Sequence, residues 1–227
     1  MSYESFFNLE NTAESQELWK GVKEIEPGLT LERAEQAVLS PSKLTESAEF
    51  VAGDPETDMK NWHEQAEQNS CAVCCQEFVA EQLLDREFSE QELVHMATER
   101  GWYDPETGTT LSDVGNLLEE LGLEVERESG LTLPDLFHEL ESGHKLICAV
   151  NNMVLEDPGF ADLPGMNANH AVQVIGIDYS NPEGVRVILN DSGVPNGMGR
   201  EVSADTFVKA WNTSGNFAVS AWKGANE

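Results

Sequence analysis

The stretch Gln65-Ala66-Glu67-Gln68-Asn69-Ser70-Cys71 opens onto the apolar run Ala72-Val73-Cys74-Cys75, and the reading of this junction decides the fold. Asn69 or Ser70 can cap a helix running from Cys71 to about Leu84. Cys71 then lies in the first turn, where unpaired backbone N–H groups and the helix dipole favour a thiolate. Far downstream stand Asn169-His170 and Asn190-Asp191, so a thiol, an imidazole and an acid or amide follow one another as nucleophile, base and orienter. That order outlines a cysteine hydrolase. A thiol needs an adjacent base to become reactive near neutral pH, the imidazole needs a third group to hold its tautomer, and the developing oxyanion needs donors.

Outward from this junction, helical signals come first and strand signals afterwards. Ser89 with Glu92 reads as a capping box for a helix through about Arg100. Thr110 with Asp113 opens another, with Leu111, Val114, Leu117, Leu118 and Leu121 on one face and Gly122 as its stop. Leu133 to Glu141, ended by Gly143, makes one more. The segments Leu146 to Val150, Ala171 to Asp178, Val185 to Asp191 and Asn216 to Trp222 are rich in β-branched residues and bounded by turn formers, which predicts strands. A short helix from about Ala204 to Trp211 separates the last two. Helices followed by an antiparallel sheet predict an α+β fold, with the nucleophile on a helix facing a strand-borne base across a cleft.

Residues 1–54 are polar and acidic, with weak periodicity broken at Pro27-Gly28 and Ser40-Pro41-Ser42, and are expected to form an N-terminal arm on a domain spanning 55–227. With 227 residues and 40% hydrophobic content, the chain can bury one substantial core. No apolar stretch approaches a membrane span, and the start lacks the basic and apolar regions of a secretory signal. Cys71, Cys74, Cys75 and Cys148 are not spaced like a disulfide scaffold, so reduced thiols and a cytoplasmic location are expected. The net charge of −29, from 42 acidic against 13 basic residues, repels phosphate backbones and excludes nucleic acid as the expected partner. It keeps the surface solvated and suits basic peptides or amines.

The ordered set of motifs resembles the papain-like cysteine peptidases, most closely the branch containing the bacteriocin-processing, double-glycine leader peptidases. Gln65 stands six residues before Cys71, and Cys71-Ala72-Val73-Cys74-Cys75-Gln76 continues as a helix. The match runs on through Gly108-Thr109-Thr110, Gly143-His144-Lys145-Leu146-Ile147, His170-Ala171-Val172-Gln173-Val174-Ile175-Gly176 and Val187-Ile188-Leu189-Asn190-Asp191. It covers about residues 55–222. Two positions depart from the pattern: the usual Cys-Gly is Cys71-Ala72, and the usual Asp-Pro is Asp191-Ser192. Neither removes a catalytic atom. The sequence contains no transporter membrane domain or ATPase motif, so export-coupled processing does not carry over.

The resemblance implies Cys71 as nucleophile, His170 as base, and Gln65 as oxyanion donor with the Cys71 N–H, Gln68 being the fallback. For the orienter, strand alternation groups Asp191 with Val185, Val187 and Leu189 on the inward face and Asn190 with Arg186. Asp191 is therefore preferred, as it is by the leader-peptidase branch, whereas papain itself suggests Asn190. Cys74, Cys75 and Cys148 read as core, and His63, His95, His138 and His144 as solvated. A zinc on Cys71-x2-Cys74 would need a second ligand pair of comparable spacing, and none is present. The expected activity is peptide or small-amide hydrolysis through a thioester, with no cofactor or metal required. Alternatives are an acyl or peptidyl transferase using the same thioester and a non-catalytic binding module.

Overall fold

A computed structural model describes residues 51–224 of the chain, so the arm expected at 1–54 lies outside the described residues except for its last four positions. Val51–Gly53 form a first strand, β1, rather than arm, because Ala52 is buried in the core and the segment pairs with a later strand at Val51↔Asp178 and Gly53↔Gly176. The expected boundary at residue 55 therefore falls inside the sheet's own sequence. A one-turn helix, α1 (Pro55–Asp58), follows.

The helix starting at Cys71, α2 (Cys71–Leu84), buries every residue from Ala72 to Ala80. It has no solvent stripe over these turns because helices enclose one side and a sheet the other. Val73 packs with Leu93, Ala97, Tyr103 and Leu117, residues of or beside α3 (Glu90–Arg100) and α4 (Asn116–Glu120). Ala72, Cys75, Val79 and Ala80 meet Ile147, Ala149, Ala171, Val219 and Ala221 of the sheet.

The sheet is seven-stranded and its pairs are antiparallel, in the order β2-β7-β3-β4-β5-β6. The strands are β2 (Glu124–Glu128), β3 (Lys145–Val150), β4 (His170–Asp178), β5 (Arg186–Asn190), β6 (Arg200–Ser203) and β7 (Ala218–Trp222). β1 adds to the far end of β4. The pleat of β3 sorts two cores: Ile147 and Ala149 face α2, whereas Leu146, Cys148 and Val150 face the opposite layer. That layer contains α5 (Leu133–Glu141), α6 (Asn152–Glu156) and α7 (Ala204–Trp211), with Leu136, Leu140, Val154, Leu155, Phe207 and Trp211 buried. The architecture is the expected α+β arrangement, with helices on both faces of an antiparallel sheet.

Several local expectations change. The helix expected from Thr110 forms only over Asn116–Glu120, because Gly115 adopts φ +100°. A Cβ there would lie 2.8 Å from Val125 Cγ1. The buried Gln76 Oε1 accepts the N–H groups of Gly115 (2.8 Å) and Leu117 (3.2 Å) at this helix start. Ser89 is an N-cap without a side-chain cap bond, whereas Thr132 and Asp135 complete a capping box on α5. Between β3 and β4, where no helix was expected, the chain forms α6, whose Val154 and Leu155 are buried.

Candidate active site

β4 and β5 are antiparallel with Gln173 opposite Asn190. Their side chains point to the α2 side, where Asn190 Nδ2 donates to Gln173 Oε1 and to the Asp58 carbonyl, both at 3.0 Å. Gln173 also exchanges hydrogen bonds with Gln82 of α2. Asn190 is thus part of a buried brace that includes Lys145, whose Nζ lies 2.6 Å from the Asp58 carboxylate. The other side of the pleat holds Val172 and Leu189. Two residues before Val172 and two after Leu189 come His170 and Asp191, so neighbouring strand ends bring imidazole and carboxylate together at one edge of the sheet.

His170 Nε2 donates to Asp191 Oδ1 at 2.7 Å. This bond leaves Nδ1 as the ring nitrogen for the thiol of Cys71. The carboxylate is held on every side: Oδ1 also accepts from the Gly193 N–H at 3.0 Å, and Oδ2 accepts from Arg200 at 2.9 Å. The Trp62 indole donates to the Asp191 carbonyl at 2.8 Å. Asp191 is 1% exposed, so these partners replace its lost water.

The protonation order inverts that of free side chains. Burial pushes the Cys71 thiol up, yet the His170 imidazole and the N–H groups of Ala171 and Ala72 bring its pKa below the ordinary 9.0. Burial opposes a charged His170, yet Asp191 and Cys71 raise its pKa to about 10. Asp191, despite burial, is held below its ordinary range by His170, Gly193 and Arg200. With the thiol's pKa lowered and the imidazole's raised, a proton shared between the two rests on the imidazole, which favours a thiolate and imidazolium pair over two neutral groups. Burial pushes Cys74, Cys75 and Cys148 the other way, keeping them protonated. All three are fully buried, as expected for core thiols, while Cys71 keeps partial exposure.

Gln65 lies against the neighbour of Asp191: its backbone N–H donates to the Ser192 carbonyl at 2.9 Å, and Ser192 Oγ donates to Gln65 Oε1 at 3.3 Å. Its Nε2 is turned to the Glu67 carbonyl at 3.2 Å. Gln68 is exposed, with its carbonyl accepting the Tyr103 hydroxyl. The Cys71 backbone N–H, at the first helical position, is one of the donors a helix leaves free. The caps differ from expectation. Asn69 donates to the carbonyls of Pro105 and Glu106, and Ser70 Oγ shares its proton between the Glu67 carbonyl and the Glu90 carboxylate instead of accepting a helix N–H. Glu90 instead braces the loop ahead of the helix, accepting the Ala66 N–H at 2.8 Å and the Glu67 N–H at 3.0 Å.

Arg200, Gly193, Trp62 and Glu90 had no assigned place in the sequence reading. Only Gly193 carried a local signal, two residues after Asp191, and its Cβ would stand 2.8 Å from His170 Cε1. Two histidines expected to be solvated are only partly exposed. His63 packs edge-on against Phe78 with Nε2 3.2 Å from Glu77, and His144 stacks on Trp222 with Nδ1 2.7 Å from Glu139. His95 and His138 are exposed, at 74% and 73% of their side chains.

No protein-family model matches the chain. Relatives from Mycobacterium tuberculosis and Mycobacterium bovis, both described as uncharacterized proteins, are 29% identical over 201 residues, covering 75% of this chain and 84% of theirs. Among solved structures, a putative C39-like peptidase from Bacillus anthracis has a TM-score of 0.53 at 15% identity, covering 73% of this chain and 95% of that one. The peptidase domain of Streptococcus ComA, a bifunctional ABC transporter involved in a quorum-sensing pathway, has a TM-score of 0.51 at 15% identity, covering 72% and 98%. The proform of the Amb a 11 cysteine protease, a ragweed pollen allergen, has a TM-score of 0.52 at 13% identity, covering 77% and 65%. The chain therefore has the fold of the papain-like cysteine peptidases. No helix of the described residues is long and apolar enough to cross a membrane.

Proposed function

From this papain-like scaffold we propose that the chain is a thiol-dependent peptidase or amide hydrolase working through Cys71, His170 and Asp191. The Cys71 thiolate attacks a peptide or small-amide carbonyl, and His170, as imidazolium, gives its proton to the leaving amine. The resulting thioester is hydrolysed by water that His170 deprotonates, and Asp191 holds the ring throughout. The oxyanion is met by the Cys71 N–H and by the Gln65 amide, which must turn its Nε2 away from the Glu67 carbonyl on substrate binding. The chemistry uses no cofactor. Free thiols and the reduced state this nucleophile needs accord with a cytoplasmic site of action.

The observation that carries the reading is the His170 ring held at 2.7 Å by the buried Asp191 carboxylate, beside a Cys71 thiol whose pKa the imidazole lowers. Incubation of the full chain with a peptide library, beside Cys71→Ala, tests it. Cleavage by the native protein and none by the variant is expected. Product formed only when an amine acceptor is added would reassign the chain as a transferase. Equal cleavage by both proteins would remove Cys71 as nucleophile.

A further inference from the structure

A second cluster of reactive side chains lies one helical turn along α2 from Cys71. Cys74 and Glu77 are three residues apart on the same face of the helix, and His63 reaches them from the preceding segment. His63 Nε2 is 3.2 Å from Glu77 Oε2, and a ligand atom from each of the three residues lies within 4.8 Å of the others. Metal–ligand bonds of about 2.0 Å in a tetrahedron set neighbouring ligand atoms about 3.3 Å apart, which is the His63–Glu77 spacing.

Two further features favour a cation here. His63 Nδ1 lies 3.1 Å from the Glu64 carbonyl, and donation there directs the Nε2 lone pair at the cluster, the tautomer a metal-bound imidazole requires. The charge is also unbalanced. Glu77 is buried, Glu90 Oε2 stands 3.9 Å from His63 Nδ1, and neither carboxylate has a lysine or arginine partner among the described residues. Glu90 is satisfied by backbone N–H groups and Ser70, which leaves Glu77 with His63 alone.

We propose that His63, Cys74 and Glu77 form a zinc site, separate from Cys71 and His170, whose fourth position opens to solvent past the partly exposed His63. A thiolate, an imidazole and a carboxylate are the mixed soft and hard donor set that suits this borderline ion. Zinc displaces the thiol proton of Cys74 and any proton on His63, and its two positive charges are balanced by the thiolate and Glu77. Binding pins the segment carrying Gln65 to the helix carrying Cys71.

The full chain, stripped with a chelator, should be titrated with cobalt(II) alone and then with zinc in competition. One equivalent of cobalt should give a thiolate-to-cobalt charge-transfer band and the visible bands of a tetrahedral ion, which zinc then abolishes. Cys71→Ser should keep this spectrum, whereas Cys74→Ser should lose the charge-transfer band. Glu77→Gln, of nearly the same shape and with its fold checked by circular dichroism, should weaken zinc at least about 100-fold, since even outer-shell partners of a metal ligand cost about 10–100-fold. A band lost in Cys71→Ser and kept in Cys74→Ser would place the metal on the hydrolase pair and overturn the proposal. Absence of any cobalt–thiolate band in the native protein would overturn it too, leaving the cluster as a hydrogen-bonded brace.

Discussion

Cys71 is the single thiol of the four whose surroundings favour its anion, and the cause is the imidazole beside it. Alkylation near neutral pH should therefore modify Cys71 well before Cys74, Cys75 or Cys148, as peptide mapping by mass spectrometry will show. Because His170 lowers the thiol's pKa, His170→Ala should move the pH dependence of this labelling to higher pH. For turnover, the working pair is lost on the acid side when the Cys71 thiolate takes up a proton, and on the alkaline side when His170 loses its own near its pKa of about 10. A pH–rate profile should show an acid limb below the ordinary thiol value of 9.0 and a late alkaline limb near 10. Asp191→Ala should lower turnover by about 10²–10⁴-fold, the usual worth of positioned acid–base machinery. Asn190→Ala should instead leave turnover largely intact and cost about 1–3 kcal/mol in denaturant melts, because it orphans buried partners in the brace to Asp58 and Gln173. At Gly193 an added methyl presses on the imidazole at 2.8 Å, so Gly193→Ala should reduce kcat with little change in melting temperature.

At the level of elements, α2 presents Cys71 because its start is held from outside its own sequence. Burial raises the Glu90 carboxyl, but the N–H groups of Ala66 and Glu67 and the Ser70 hydroxyl overcome it and bring the pKa below the ordinary 4.5. A carboxylate with a folded pKa below its unfolded one contributes stability that is present above the unfolded value and lost as pH falls through the folded one. Glu90→Gln should accordingly cost about 1–3 kcal/mol at neutral pH and progressively less in acid, in urea melts across that range. The helix itself was legible because its signals are local: the polar run ends at Ser70 and the apolar run begins, giving the observed bounds Cys71–Leu84. The same holds for α5 and α7, the former marked by Pro134 near its start and Gly143 just past its end. β2 was not legible. Glu124-Val125-Glu126-Arg127-Glu128 has too little β propensity to announce a strand, and it becomes one only because β7 offers an edge to pair with. The helix expected from Thr110 failed for the converse reason, since its apolar periodicity ignores a glycine at φ +100° whose N–H is held by Gln76 and beside which Val125 and Arg127 leave no room for a Cβ.

For the whole molecule, the division between arm and domain is testable at β1. A chain starting near Glu49 keeps Val51–Gly53 on the edge of β4 and should remain soluble, melt cooperatively and label at Cys71 as fast as the full chain or faster. A chain starting at Pro55 loses that strand and the buried Ala52, exposes the backbone of Gly176–Asp178, and should melt at a lower temperature. Aggregation of the longer of the two truncations would show that residues before 49 belong to the core. Taken alone, the amino-acid order determined the α+β class, the helix that carries Cys71 and the strand that begins at His170, because helical and strand periodicity and turn chemistry act over a few residues, whereas alternation did not rank Asp191 against Asn190, since both are buried. Tertiary structure alone decided that Arg200, Gly193 and Trp62 surround the Asp191 carboxylate and backbone, that Glu90 holds the start of α2, and that His63 meets Cys74 and Glu77. Those neighbours are separated by as many as 129 residues, as between Trp62 and Asp191, and no local pattern encodes which chain segments the packed core will place side by side.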